Sequence, residues 1–176
     1  MRLQIVPMPS EVAENVRATM KSAGYGFPAH RQPPTQGRAP CRHCLKLIRP
    51  QDEELILFTY DAFYGQGVPP LPGPVYIHAE PCRPFEGEGK LPEAYRGQPL
   101  TFEAFGENRS RLGEKRVDEL VDGKDADQAL EELFREHRVQ YVHVRSSKAG
   151  CYLFRVERAS AGSHCQKREA YGVARS

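Results

Sequence analysis

Cys41, Cys44, His78 and Cys82 are the residues whose types and spacing first suggest chemistry in this chain. The segment Cys41-Arg-His-Cys44 sets two thiols on one tight turn, where both can grip a single ion. His78 and Cys82, in His-Ala-Glu-Pro-Cys, form a second pair that can complete a tetrahedral Cys3His set of the structural-zinc type. Soft thiolates with an imidazole favour zinc over magnesium or calcium. The long gap from Cys44 to His78 weighs against this, and a lone C-x2-C pair also reads as small buried thiols. Both readings stand at this level. His43, inside the first pair, is expected to be exposed rather than a ligand.

The second constellation is Cys151 with His143. Alternating apolar runs at 139–145 and 151–158 flank the turn-like Ser-Ser-Lys-Ala-Gly and predict a β-hairpin. Folding it about that loop sets Arg145 opposite Cys151, His143 opposite Leu153 and Tyr141 opposite Arg155. Cys151 is then diagonal to His143, with Arg145 and Arg155 on the same face. Cationic neighbours favour a nucleophilic sulfur, so this pair is the candidate catalytic or redox site, Cys151 as nucleophile and His143 assisting. The plainer reading is a polar hairpin face with a small cysteine beside a turn, since no third orienting group is identifiable. Arg109, Arg111, Lys115 and Arg116 form a basic run interrupted by Glu107 and Glu114, which reads as a solvated loop.

Stepping outward from these residues, the pattern predicts a strand at 2–6 and a helix from 11 to 22, capped by Ser10 and ended by Gly24. Residues 54–60 are apolar on both faces and predict a central strand; 75–78 and 100–105 predict two more. Gly- and Pro-rich stretches at 26–40 and 65–74 read as irregular. Ala126, Ala129, Leu130, Leu133 and Phe134 form an amphipathic stripe that predicts one long helix over 124–137. The expected class is therefore α+β: one domain over 1–159 with a mixed or antiparallel sheet, that helix and the C-terminal hairpin, followed by a mobile tail at 160–176.

The sequence has 176 residues with 25 Lys+Arg against 23 Asp+Glu, a net charge of +2 that gives no footprint for nucleic acid or an anionic membrane. No apolar run approaches the length needed to span a bilayer. The opening residues lack the apolar core of a secretory signal, so a cytoplasmic location is expected. Five cysteines are too few for a disulfide scaffold, which again turns attention to metal or thiol chemistry. No P-loop, nucleophile elbow or HExxH motif is present.

Several segments together carry a resemblance: PCRHCL at 40–45, LILFTYDAF at 55–63, GPVYIHAEPC at 73–82, LPEAYRGQPLTFEAF at 91–105, LVDG at 120–123 and YVHVRSSKAGCYLFRVERA at 141–159. In this order they resemble an uncharacterised bacterial family, one of the domains of unknown function. The resemblance implies no activity. It implies that Cys41 and Cys151 belong to the family's common pattern, with Cys44, His78 and Cys82 particular to a subgroup, and it marks Cys41 and Cys151 as a pair of interest, a redox couple or packed thiols. The functional expectation is a binding or accessory module with a structural zinc site, for an unidentified small-molecule or protein partner. The rival is a thiol-dependent enzyme or redox protein using Cys151 and His143.

Overall fold

The computed structural model describes residues 2–33, 39–50, 52–87, 89–118 and 125–159. Strand β1 (Leu3–Val6) leads into helix α1 (Ser10–Thr19). Then come β2 (His30–Gln32), the short β3 (Ala39–Pro40) and β4 (Leu47–Ile48), β5 (Leu55–Asp61) and β6 (Pro72–His78). The second half holds β7 (Leu100–Phe105), β8 (Arg111–Val117), helix α2 (Ala126–Phe134), β9 (Tyr141–Ser146) and β10 (Tyr152–Arg158). Among the described residues, ten strands form a five-stranded sheet in the order β1-β10-β9-β7-β8, a three-stranded sheet β2-β5-β6 and the ribbon β3-β4. Every pairing of these strands is antiparallel.

The fold is thus mostly β, and the α+β expectation with one long helix is overturned. Helix α2 has only nine residues. Asp125 caps it, its carboxylate accepting from the Asp127 N–H at 2.8 Å, and the apolar stripe ends at Phe134. Arg135, Glu136, His137 and Arg138 are all exposed, so no burial sustains further turns, and a short helix depends on burial. Lys124 lies outside the described residues, as do the LVDG segment and the expected tail. Helix α1 also ends early: Met20 takes a left-handed conformation (φ 51°) and its N–H reaches Val16 O at 2.9 Å. Ser10 is not its cap but its first residue, a change that matters below.

The five-stranded sheet is covered on both faces by the period-two alternation of its strands. Leu100, Phe102, Ala104, Val142 and Val144 join one core with Ala126, Ala129, Leu130 and Phe134 of α2. Phe105, Tyr141 and Tyr152 point the other way, into a second core with Val12 and Val16 of α1 and Leu55, Phe58, Tyr60, Val75 and Ile77 of the three-stranded sheet. In that smaller sheet β5 is central, as its two-sided apolar character predicts. β6 starts earlier than expected, at Pro72, because it is an edge strand where prolines cost no ladder bond. The basic run expected as a loop is largely strand β8. It pairs with β7 and blunts the sheet edge with charge: Arg111 meets Glu103 at 3.3 Å, and Lys115 pairs with Glu132 of α2.

Candidate metal centre

The β3–β4 ribbon exists to present a turn. Cys41 N–H reaches Lys46 O and Leu45 N–H reaches Cys41 O, both at 2.9 Å, which folds Cys41 and Cys44 onto the same side. Closing the turn drives Leu45 into the left-handed region (φ 56°), at about 1–2 kcal/mol for a residue with a Cβ. Burial of its side chain at 1% exposure holds it there. The turn docks on the end of β6: Cys41 and Tyr76 form a parallel bridge, and Arg42 N–H reaches Tyr76 O at 2.9 Å. That docking brings the turn beside His78, the last residue of β6, and Cys82, four residues on.

The ligand atoms of Cys41, Cys44, His78 and Cys82 all lie within 4.8 Å of one another, and the four residues can hold a metal ion. Cys41 Sγ is 3.9 Å from Cys82 Sγ, and Cys44 Sγ is 3.4 Å from His78 Nδ1. Around a tetrahedral zinc with bonds of about 2.3 Å to sulfur and 2.0–2.1 Å to nitrogen, those edges are about 3.8 and 3.5 Å. The donor set is compatible with zinc in both chemistry and spacing. Cys41 and Cys44 are buried, and Cys44, His78 and Cys82 line a groove of about 530 Å³ together with Lys46, Glu53 and Arg83.

A supporting layer surrounds the four. The backbone N–H of His78 points at Cys41 Sγ (3.4 Å). Arg17 of α1 donates to Cys82 Sγ at 3.3 Å and to His78 O at 3.1 Å. His43 is 2% exposed, contrary to the expectation that it faces water. Its Nδ1 lies 3.2 Å from Cys82 Sγ and its Nε2 lies 2.9 Å from Ser10 Oγ. The Ser10 hydroxyl, lost to helix capping, thus orients an imidazole against the cluster. His78 turns Nδ1 to Cys44 and leaves Nε2 at 3.6 Å from Glu53 Oε2, the carboxylate–histidine arrangement that fixes a metal-binding ring. Hydrogen bonds from Cys41 and Cys44 lower the Cys82 thiol pKa, whereas the Cys44 thiol is raised through its contacts with Cys41 and Cys82. Burial pulls the His78 imidazole down, but the sulfurs of Cys41 and Cys82 outweigh it and raise it to about 10. Arg17, Ser10 and Glu53 left no trace in the local sequence pattern, because each acts across chain separations that spacing does not encode. The one available signal was the position of His43 between two ligands.

Cys151 and His143 occupy different surroundings. The loop takes in one residue more than expected and pairs Tyr152 with Arg145, and a β-bulge between Tyr152 and Phe154 adds a second, so Arg155 faces His143, rather than the expected Cys151–Arg145, His143–Leu153 and Tyr141–Arg155 pairs. Cys151 Sγ accepts from Arg42 Nη2 at 3.1 Å. It is therefore Arg42, the chain neighbour of Cys41, that reaches Cys151, while Cys41 Sγ faces Cys82. His143 is fully buried in a box of Phe63, Phe105, Tyr141 and Tyr152, with ring centroids at 4.6–5.2 Å, and neither ring nitrogen has a hydrogen-bond partner. Arg109 of the basic run covers that box, its guanidinium 4.3 Å from the Phe63 ring centroid.

Burial, then Arg145, Arg155 and Arg109, push the His143 pKa down to about 3 from 6.5. An unfolded chain therefore binds a proton that the folded chain refuses, so stability is full above about pH 6.5 and falls as pH drops through the window to 3. Each pH unit there costs about 1.4 kcal/mol. Urea unfolding of wild type and His143→Phe at pH 6.5 and pH 5 measures this: the variant should gain about 2 kcal/mol on wild type over that interval. Equal acid sensitivity in the two proteins would remove the neutral buried imidazole from the account.

No helix among the described residues is long and apolar enough to cross a membrane. No curated protein and no solved structure matches the chain. A family model does match, over residues 38–158, a span that takes in all four cluster residues, Arg42 and Cys151, and ends with β10. With more than half its length covered by that match, the chain belongs to the family described as protein of unknown function (DUF1203).

Proposed function

We propose that Cys41, Cys44, His78 and Cys82 hold one zinc ion as a structural centre, in a domain that serves as a binding or accessory module. The observation that carries this reading is the convergence of three sulfurs and one imidazole nitrogen within 4.8 Å, at edges fitting a zinc tetrahedron. Four protein ligands leave no open coordination position for a substrate, which favours a structural over a catalytic ion. Thiolate and imidazole donors select zinc over the hard cations. Arg17 supplies a positive charge against a centre that carries one net negative charge when three thiolates bind Zn²⁺, and His43 and Glu53 fix the outer faces of Cys82 and His78. The ion would join the β3–β4 turn, the end of β6 and, through Arg17, helix α1.

The test is metal analysis of untagged protein, followed by cobalt substitution. About one zinc per chain is expected, and the cobalt protein should show the intense visible bands of a tetrahedral thiolate site. Protein that stays metal-free after zinc loading, or a pale octahedral cobalt spectrum, would rule the centre out.

A further inference from the structure

Cys41 faces a second sulfur, but that sulfur belongs to Cys82, at 3.9 Å, and not to Cys151, whose Sγ is held by Arg42. The two facing cysteines differ in access. Cys41 is 0% exposed, whereas Cys82 is half-buried and opens on the groove of about 530 Å³. Cys44 lines that groove too, but it is buried and its Sγ lies against His78 Nδ1 at 3.4 Å. Cys82 therefore presents the sulfur that a reagent in the groove meets first, and Cys41 stands behind it. The groove falls within the roughly 300–1,000 Å³ of small-molecule sites. Thiol–disulfide exchange needs this arrangement: one accessible sulfur to form a mixed disulfide and a second within reach to displace it. Cys41 follows β3 and Cys82 follows β6, so a bond between them spans the junction that the ion would hold.

We propose that Cys82 and Cys41 form a redox switch on the metal centre, operated by low-molecular-weight disulfides that enter the groove. The switch rests on the zinc reading and adds regulation to it. Cys82 Sγ attacks one sulfur of the incoming disulfide; a new S–S bond forms as the old one breaks, and one thiolate departs. Cys41 Sγ then attacks Cys82 Sγ in the mixed disulfide, and a second thiolate departs with the electron pair of the broken bond. The two cysteine sulfurs lose two electrons in all and the incoming disulfide gains them. It leaves as two thiols once each thiolate takes a proton from water. The Cys41–Cys82 bond removes two of the four donors, and Cys44 with His78 is too small a set for a structural zinc. Excess external thiol runs both steps backwards.

The experiment loads the full-length protein with zinc, adds oxidised glutathione and follows zinc release with a coloured chelating indicator, against a sample without the disulfide. Disulfides are mapped by mass spectrometry after the denatured chain is alkylated with iodoacetamide. Zinc should leave in step with the Cys41–Cys82 bond, about one ion per bond formed, while Cys44 takes the alkyl label. Dithiothreitol and fresh zinc should restore the loaded protein, and Cys151→Ser should respond as wild type does. Zinc retained, or released with Cys44 in the dominant disulfide, overturns the switch and leaves the metal centre standing. A Cys151→Ser protein that keeps its zinc under the same treatment overturns the switch as well, because Cys151 would then be the sulfur attacked first. A chain that takes up no zinc at the loading step removes the centre and the switch together.

Discussion

Cys44→Ser should lose the bound metal and much of the stability of the fold. Cys44 sits at 5% exposure on a turn whose next residue is held in a left-handed conformation. Its sulfur is one of four groups closing the ribbon onto β6. Apparent binding free energies of structural zinc run to about 10–16 kcal/mol in small metallodomains, comparable with the whole stability of a typical domain at about 5–15 kcal/mol. Here two sheets and two helices supply their own cores, so a smaller share is expected, on the order of 3–5 kcal/mol. For a chain of this size that lowers the melting temperature by roughly 6–20 °C. Prolonged chelation of wild type should give the same shift, and zinc should restore chelated wild type but not Cys44→Ser. Cys151→Ser serves as the control for loss of a thiol outside the cluster and should keep its metal. Identical melting of wild type with and without chelator would show that the four side chains pack as ordinary buried groups.

Arg42→Met is expected to cost about 2–6 kcal/mol, the sum for two buried carbonyls left unpaired at about 1–3 kcal/mol each. Arg42 is 0% exposed and spends its donors on two backbone carbonyls and a sulfur, in the β3 ribbon and at the start of β10, while its guanidinium lies 5.5 Å from the Tyr76 ring centroid on β6. Methionine fills much of the volume but leaves the Tyr152 and Pro40 carbonyls unpaired in the interior. Arg42→Lys keeps the charge on a single point that cannot serve three divergent acceptors, so it should recover only part of the loss. Urea midpoints for the three proteins give the comparison. An unchanged midpoint for Arg42→Met would mean that water replaces the guanidinium at both carbonyls and that Arg42 does not bind the sheets together.

What could be read from the sequence was what is local. The paired motifs at Cys41/Cys44 and His78/Cys82 are short-range patterns, and the fold brings all four together. The central place of β5 followed from a run with no polar face, and the hairpin of β9 and β10 from two alternating runs about a glycine-containing loop. The rest depended on distant pairings. A charged segment such as 111–117 becomes a strand only because β7 lies beside it, with Leu112 and Val117 its only apolar side chains. The stripe from Ala126 to Phe134 was correctly placed, but nothing in 135–138 states that no surface waits for another turn. One extra residue in the loop set Tyr152 rather than Cys151 opposite Arg145, because a period of two turns a single-residue slip into an exchange of faces, and a second extra residue at Leu153 kept Arg155 on the face of His143. The buried Arg42 looked like any loop arginine, since its acceptor on Tyr152 lies 110 positions away.

The pairing of β1 with β10 has a consequence for how the molecule comes into being. Leu3 lies opposite Arg158 and Val6 opposite Arg155, so β1 must wait for β10, about 150 residues further along the chain. At translation rates of about 5–20 residues per second, that wait is on the order of ten seconds. Throughout it Leu3 and Ile5, which end at 6% and 5% exposure, have no sheet to join. The ribbon, β5 and β6 emerge well before then, so the nascent chain can close the cysteine–histidine cluster while its N-terminal strand is still an unpaired, partly apolar edge. Newly made chains are therefore most vulnerable to intermolecular strand pairing late in synthesis, and the arrival of β10 ends that exposure.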